Sequence, residues 1–288
     1  MTAPARPTSA RPLAWIVAAV LFSFAPAPAT AQGLNLGSSN NDAPIEVYAD
    51  NGIEWQQDNE VLIARGNARA VRAGVNVYGD VLRAYYKKEA SGSGSQLTRL
   101  DAAGKVRIVS PNESIDGDGA VYDLDKAILV VSGKKVTYRS GEDVITADQQ
   151  MEYYERDLKA VARGNAVAVH EGKRMNARLI QALFRKTANG KTEVHKVQAF
   201  DDVVIVTEED VVRADKGIYD VVTELATLTG NVRIARGANI LKGDVAEINM
   251  KTGVSRLLTT PGGKSGGRVR GLITPKKSET PSKGGKPK

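Results

Sequence analysis

The sequence predicts an all-β protein, and three observations support this prediction. Short runs alternate apolar and polar residues, as in 59–65 and 105–109, which is the period of two expected of strands with one buried face. No stretch carries a long helical period. Short signatures containing glycine or aspartate recur along the chain, which is typical of a series of strands separated by turns.

The composition allows a folded core and restricts the chemistry that the chain can perform. The 288 residues are 42% hydrophobic and 25% charged, which is ordinary for a globular protein. The absence of cysteine excludes disulfide scaffolds, thiolate zinc sites and thiol nucleophiles. Only two histidines are present, His170 and His195, and neither lies in a recognisable catalytic or metal-binding motif. We therefore expect no catalytic residues, no cofactor and no metal.

The N-terminal residues 1–31 have the organisation of an export signal. Two arginines precede an apolar run at 13–24, and Ala29 and Ala31 form a small-x-small cleavage site. We expect cleavage between Ala31 and Gln32. An uncleaved membrane anchor is the alternative, but it would need a longer apolar stretch, because roughly 20 residues span a bilayer.

The net charge of +7 is concentrated at the two ends of the chain. Residues 1–31 contribute +2 and residues 262–288 contribute +7, which leaves −2 for residues 32–261. A near-neutral body argues against a nucleic-acid partner, because a binding groove needs Lys and Arg on the folded surface. We interpret 32–43 as a flexible leader and 262–288, rich in Gly, Lys, Pro and Ser, as a basic disordered tail.

Two signatures alternate along the body of the chain. The first, a glycine followed by a polar residue, occurs at 66–68, 104–106, 133–135, 164–166 and 230–232. The second, a small residue followed by Asp, occurs at 49–50, 79–80, 117–118, 147–148, 214–215 and 243–244. We interpret Gly-Asn as a tight hairpin turn, because it supplies positive φ angles, and Asp as closing a turn on its own backbone. Calcium binding is the alternative for the aspartates, but they recur too sparsely to supply six to eight oxygen ligands.

A longer repeat of 96–98 residues lies over these short signatures. Asp118 and Asp215, for example, occupy equivalent positions 97 residues apart. We therefore predict a folded body at 44–261 that consists of two tandem modules, 45–145 and 146–258, each with the same series of strands.

The alternating series resembles that of the OstA-like β proteins of lipopolysaccharide transport, the family of LptA and the related periplasmic domains of LptC and LptD. The resemblance is clearest at 147–166 and 214–232 and extends over 45–258. It implies an open antiparallel β-jelly roll, V- or taco-shaped, with an apolar inner face. It also implies a non-catalytic periplasmic protein that binds lipopolysaccharide. Such a protein bridges the inner and outer membranes through LptC-like and LptD-like partners and through end-to-end self-association.

The resemblance and the strand alternation together give candidate site residues. Acyl chains of lipid A would lie in an apolar groove, with the phosphorylated head outside near Arg and Lys. The predicted groove residues are alternating strand positions: Val106, Ile108, Val136, Tyr138, Val167, Val169, Val203, Ile205, Val232 and Ile234. Predicted docking positions on the end strands are Ile45, Val47, Val254 and Leu257. Residues 268–273 alternate like a strand, and we expect this segment to fold back on the last sheet edge, to contact phosphate groups of the lipid or membrane surface through its cations, or to remain solvated.

Two other classes of protein stay open at the level of sequence. A structural or polysaccharide-binding β-solenoid of the cell envelope would also show Gly-Asn turns and repeats. Such modules usually carry stacked asparagines or exposed aromatic residues, and both are scarce here. An enzyme such as a β-helix lyase would need clustered acids and arginines at matching positions of successive coils. Co-purification of lipid would separate the transport protein from both alternatives.

Overall fold

The computed structural model describes residues 44–88, 95–249, 251–252, 254–260 and 268–274. These ranges contain eighteen strands and no helix, and so no helix that could span a membrane. The strands are β1 Glu46–Tyr48, β2 Ile53–Gln56, β3 Val61–Arg72, β4 Val75–Lys88, β5 Ser95–Val109, β6 Glu113–Asp123, β7 Ile128–Ser132, β8 Val136–Ser140, β9 Asp143–Ala147, β10 Gln150–Tyr154, β11 Lys159–His170, β12 Lys173–Lys186, β13 Thr192–Val206, β14 Asp210–Asp220, β15 Leu225–Arg236, β16 Asn239–Asn249, β17 Val254–Leu258 and β18 Arg270–Leu272. The predicted signal peptide, its Ala31–Gln32 cleavage site and the leader lie outside the described residues.

The eighteen strands form one antiparallel sheet of fourteen rows in chain order. Ten long strands each make one row, β3 to β6 and β11 to β16. The other four rows each consist of two short strands lying end to end beside one long strand. These are β1/β2 beside β3, β7/β8 beside β6, β9/β10 beside β11, and β17/β18 beside β16. The β7/β8 row pairs with the β9/β10 row and so joins the two modules into one sheet.

The Gly-Asn signatures lie inside strands and not at hairpin turns, so that part of the sequence interpretation is wrong. Gly66 and Asn67, with φ of 78° and 43°, interrupt β3 where its register with β4 shifts between Arg65 and Ala68. The same shift occurs at Gly230 in β15. The physical reason is that a pair of positive φ angles suits a β-bulge as well as a tight turn. These positive-φ bulges lie near the middle of every second long strand, β3, β5, β11, β13 and β15, and we call the line that joins them the bulge line.

The aspartates of the second signature pair with the bulge of the next row instead of closing their own turns. The Asn67 side chain donates to Asp50 at 2.7 Å, that of Asn165 to Asp148 at 3.0 Å, and that of Asn231 to Asp215 at 2.8 Å. Two further aspartates accept backbone N–H groups in the same way, Asp118 from Lys134 at 2.9 Å and Asp244 from Thr260 at 3.0 Å. These carboxylates already have hydrogen-bond partners across the bulge line. This structural role explains the recurring aspartates more simply than calcium binding does.

The bulge line divides every row into two halves, which we call arm one and arm two. Arm one comprises residues 53–65, 81–88, 95–103, 119–132, 150–163, 179–200, 216–229, 245–249 and 254–258. Arm two comprises residues 46–48, 68–78, 106–116, 136–147, 166–177, 203–213, 232–242 and 270–272.

A single apolar core joins the two arms. It includes Ala64 of arm one and Ala68 of arm two from the same strand, and likewise Ala199 and Val203 of β13. One sheet can bury both halves of its strands in one cluster only by folding along the bulge line. The structure therefore confirms the predicted fold class, an all-β, open, V-shaped antiparallel architecture with an apolar inner face.

The two modules repeat the same strand lengths. Strands β3 to β6 contain 12, 14, 15 and 11 residues, and β11 to β14 contain the same numbers in the same order. The segment 268–273 takes the first of its predicted alternatives, because β18 is an ordered strand that pairs with β16 at the last edge of the sheet, and the prediction of a disordered tail is wrong for these residues. Gly271 suits this pairing, because a Cβ there would lie only 3.2 Å from the Leu241 side chain.

The bulge line predicts opposite effects for two substitutions. Gly230 has a φ of 77°, and a Cβ there would collide with the Asp215 carboxylate, so Gly230→Ala should lower the free energy of unfolding by about 1–3 kcal/mol. The equivalent bulge in β13 carries Asp201 at a φ of 62°, so Asp201→Gly should be neutral or stabilising by up to about 1 kcal/mol. Urea denaturation measures both. Equal destabilisation by the two changes would contradict this account of the bulge line.

Candidate functional site: the apolar cleft between the arms

Most of the predicted groove residues lie on the inner face of the folded sheet. Side chains of these residues belong to the buried cluster that both arms share, with Tyr138 half-buried against it: Val106, Ile108, Val136, Tyr138, Val203, Ile205, Val232 and Ile234. The structure thus brings residues from both modules onto one continuous surface. That acyl chains contact them remains a prediction.

Val167 and Val169 do not share this face, which corrects the sequence assignment. On β11 the inward residues are Ala166, which is fully buried, and Ala168, which packs against the core. Alternation then turns Val167 and Val169 to the outer face. The repeat held the signal for the correct choice, because the residue directly after the bulge faces inward at Val106 and Val232, and Ala166 occupies that position in β11.

A cavity of about 230 Å³ lies between the arms in the first module. Its walls include Leu62, Leu82 and Leu100 of arm one and Ala70, Val75 and Val77 of arm two. An apolar cavity of about 150 Å³ is enough to hold a benzene molecule, so this one can admit part of a hydrocarbon chain. Of the predicted residues, Ile45, Val47 and Ile108 line it; the leucines were missed because every predicted groove residue lies in arm two.

The charged side chain that faces the cavity is Arg72, which lies on the same face of β3 as Ala68 and Ala70. Arg83 and Asp101 also touch the wall, but Asp101 accepts hydrogen bonds from Arg99 on the outer face of β5, and Arg83 is the register partner of Asp101. The Tyr122 hydroxyl donates to Glu155 Oε1 at 3.0 Å. Burial raises the pKa of Tyr122, the Glu155 charge raises it further, and the positive charge of Arg72 opposes this shift. Arg72 of arm two therefore stands near Tyr122 of arm one, so that a cation and a hydroxyl face each other across the cleft.

Glu113 is a buried acid that the sequence analysis did not single out. Only 5% of it is exposed, and its Oε1 has no hydrogen-bond partner among the described residues. Burial raises the pKa of Glu113 to about 7, although a hydrogen bond with Tyr138 opposes the shift. Burial is the largest cause of the raised pKa of Tyr153 in arm one, and the charge of Glu113 raises that pKa further. A protonatable carboxyl thus lies inside the molecule, close to both arms.

The second module neutralises the equivalent acid. Asp210 begins β14 as Glu113 begins β6, and it is 2% exposed. Arg236, its register partner, donates to both of its carboxylate oxygens at 2.9 and 2.7 Å. The register partner of Glu113 is Ser140, which carries no charge. The repeat period of 97 residues would have revealed this pair of acids from the sequence, but not their different partners.

The predicted docking positions lie on the first and last rows. Among the described residues, β1 pairs only with β3 and β17 only with β16, so both are edge strands. Val47 and Leu257 turn their side chains toward the core, whereas Ile45 and Val254 are exposed. Docking through these strands stays a prediction, and it would use their backbone groups.

A comparison with protein families decides the assignment. A sequence profile of the family described as "LptA/(LptD N-terminal domain) LPS transport protein" matches residues 46–156 and again residues 144–254. The chain belongs to this family. As a member of the LptA/LptD N-terminal family it is a lipopolysaccharide transport protein of the Lpt type and a non-enzymatic transport component. The two matches correspond to the two modules of the repeat.

Individual relatives are more distant. This Lpt-type protein is 27% identical over 164 residues to uncharacterized protein R00383 of Rhizobium meliloti (strain 1021), a match that spans 54% of this chain and 86% of the relative. A solved structure, LptH, is the LptA-homologous periplasmic component of the lipopolysaccharide transport device of Pseudomonas aeruginosa. It matches over 82% of this chain and 99% of its own with 11% identity and a TM-score of 0.21.

The unneutralised acid of this Lpt-type protein predicts a pH-dependent stability. Because the pKa of Glu113 is raised to about 7, its stabilising contribution is present below about pH 4.5 and is lost as the pH rises toward 7. The free energy of unfolding of Glu113→Gln should therefore be about 1–3 kcal/mol higher than that of the wild type between about pH 5 and pH 8. Urea denaturation measures this difference.

Asp210→Asn is the matched control. It removes the carboxylate that Arg236 contacts, so it should destabilise the protein at about pH 8 instead of stabilising it. A stability difference between wild type and Glu113→Gln that stayed constant across this range would show that Glu113 is not held protonated.

Proposed function

We propose that this protein carries lipopolysaccharide by holding the acyl chains of lipid A in the cleft between its two arms. The apolar cavity walled by both arms is the observation that carries this proposal. Each methylene removed from water contributes of order 0.8 kcal/mol, so even a few buried carbons per chain give useful affinity. A smooth apolar surface has no preferred register along a hydrocarbon chain, which allows the cargo to move on.

A cation at the cavity supports an orientation for the cargo. Arg72 can approach the phosphates of the lipid A head while the acyl chains occupy the apolar wall. The head would then remain in water, where its charges cost no desolvation energy.

We further propose that the chain acts in the periplasm as part of a bridge between the inner and outer membranes. Family members bind lipopolysaccharide and interact with other Lpt proteins. The signal-peptide pattern at 1–31 supports export of this chain. The two open edges supply unpaired backbone groups that LptC-like and LptD-like partners, or another copy, can bind by strand addition. The solenoid alternative loses its support, because all rows pair antiparallel within one sheet.

A site-specific crosslinker can test the cleft. A photoreactive residue at Leu100, which lines the cavity, should capture lipopolysaccharide in cells that are transporting it. The matched control is the preceding residue, Arg99, whose exposed side chain lies on the opposite face of the same strand. We expect at least a fivefold difference in the labelled band on a gel. Equal capture at both positions would overturn the cleft as the binding site.

The arginine can be tested by salt dependence. The variant Arg72→Gln should bind lipopolysaccharide several-fold more weakly at low ionic strength, because a cation near the phosphates is lost. The difference from wild type should shrink at about 0.5 M salt, where such interactions are screened. Fluorescence titration measures both affinities. A deficit that does not change with salt would show that this arginine acts through packing alone.

A further inference from the structure

The outer face of the sheet carries a row of four cations in direct register near its last edge. The row crosses β14, β15, β16 and β18, and its members are Arg213, Arg233, Lys242 and Arg270. All four are exposed, whereas their neighbours along the strands, such as Val212 and Val232, are buried in the core. Neighbouring strands lie about 4.8 Å apart, so the row is about 14 Å long. We call it the cation row.

Within the described chain, no acid pairs with the cation row. None of its four members forms an ion pair with a described residue. Asp215, two residues from Arg213 on the same strand, already accepts hydrogen bonds from Asn231 with both carboxylate oxygens. Like charges directly opposite each other on neighbouring strands are destabilising, and the row contains three such pairs in succession. An anion that binds from outside would relieve this repulsion.

The first module neutralises the equivalent position. Asp116 lies 97 residues before Arg213, at the same place in the strand plan. Its carboxylate accepts a hydrogen bond from Arg139 at 2.8 Å, and Arg107 Nε lies 3.8 Å from its other oxygen. Charges of opposite sign therefore alternate on that face. The cation row is thus not required by the strand plan that both modules share.

An apolar row runs beside the cation row, two residues nearer the rim of arm two. Its members are in register from β13 to β18: Val206, Val211, Ala235, Ile240 and Leu272. Leu272 is 59% exposed, and the turn at 237–238 on this rim carries no charge. Two residues of strand advance about 7 Å, so the apolar row lies about 7 Å closer to the rim than the cations. Amphipathic elements bury their apolar face about 5–10 Å deep at a bilayer surface, so the offset of the two rows fits such a surface.

The C-terminal end of the chain adds positive charge at the same corner. The Thr274 N–H donates to Asn239 Oδ1 at 2.9 Å, which holds the end of β18 beside the turn between β15 and β16. Residues 275–288 follow directly and contain five lysines and one glutamate. Basic residues beside a membrane surface are attracted to its anionic lipids. The sequence that follows β18 therefore has the charge that the same ligand would favour.

We propose that this corner of arm two docks on a membrane surface that carries anionic phospholipid, with the apolar row in the headgroup layer and the cation row at the phosphates. A free phosphate would need the cations but not the apolar row. Acyl chains held in the cleft would lie on the opposite face of the sheet, which separates the cargo from this surface. The acids of the turn before β14 are offset in part, because Arg236 contacts Glu209 at 3.2 Å and Asp210 at 2.7 Å. This inference goes beyond the proposed transport function and does not depend on the cleft.

Vesicle binding tests the cation row. Residues 32–288 keep every described residue and omit the apolar run of the predicted export signal, which would itself enter lipid. Co-sedimentation with vesicles of phosphatidylglycerol and phosphatidylcholine should show binding at least tenfold stronger than with phosphatidylcholine alone. The double variant Arg233→Gln and Lys242→Gln should lose at least tenfold in affinity, because each cation near an anionic surface contributes about fivefold. The matched control, Lys134→Gln with Lys135→Gln, removes two exposed lysines of the first module and should bind within twofold of the wild type.

A single fluorophore tests the apolar row. The chain has no cysteine, so Leu272→Cys provides one labelling site for an environment-sensitive dye. Its emission should shift to the blue on the anionic vesicles, because the apolar row enters the headgroup layer. The same dye at Tyr78→Cys, an exposed position of the first module, should not shift. Urea denaturation should show that the variant lacking Arg233 and Lys242 is at least as stable as the wild type, because like charges are removed.

Each of the other outcomes overturns the proposal. Equal binding to both kinds of vesicle would exclude anionic lipid as the occupant, and equal binding by the wild type and the double variant would exclude the cation row. A dye at position 272 that does not respond would exclude insertion of the apolar row. Competition by inorganic phosphate beyond that of chloride at equal ionic strength would assign the cations to a free anion. The vesicles contain no lipopolysaccharide, so these outcomes are independent of the proposed cleft, which capture at Leu100 tests.

Discussion

The pairing of aspartate side chains with backbone bulges holds this molecule in its shape. Each bulge inserts residues with positive φ into the middle of a row, and the strand bends there. At three of the bulges a neighbouring row carries an aspartate that binds the bulge, as Asp50 binds Asn67 and Asp215 binds Asn231. Because these contacts occur in both modules, the bends stay aligned and a single sheet folds along one line.

The aligned bends account for the cleft. Both arms turn their inner side chains toward each other, and near the bulge line these are small, such as Ala64, Ala68 and Ala166. Larger side chains there would force the arms apart, because they approach most closely at the fold. Further out, leucines and valines form the walls, and the arms diverge enough to leave the cavity of the first module. The inner face of the folded sheet thus forms both the core and the apolar cleft.

The two modules use one strand plan but have diverged in their buried charge. Asp210 is neutralised by Arg236, a pairing that fixes the arm-two rim of the second module. Glu113 has tyrosines as neighbours in place of a cation, and the pKa of its carboxyl is raised by burial. Burying an acid that lacks a cationic partner costs free energy unless the acid holds its proton. The first module therefore contains both the acid without a cationic partner and the cavity.

The sequence by itself determined the all-β class, the tandem repeat and the inner face of most strands. Alternation identified Val106, Ile108, Val203 and Val232 as inward residues because the strand period is local and survives any tertiary arrangement. Gly-Asn was misread as a hairpin turn because positive φ angles serve turns and bulges alike, and only the pairing of the next row distinguishes them. The choice at Val167 failed because both faces of β11 after the bulge are apolar, with Ala166 and Ala168 on one and Val167 and Val169 on the other, and alternation alone does not distinguish them. The cation opposite Asp210, its absence at Glu113 and the return of β18 to the last edge were decided by the tertiary structure, because each depends on residues that lie close in space only after the sheet has folded.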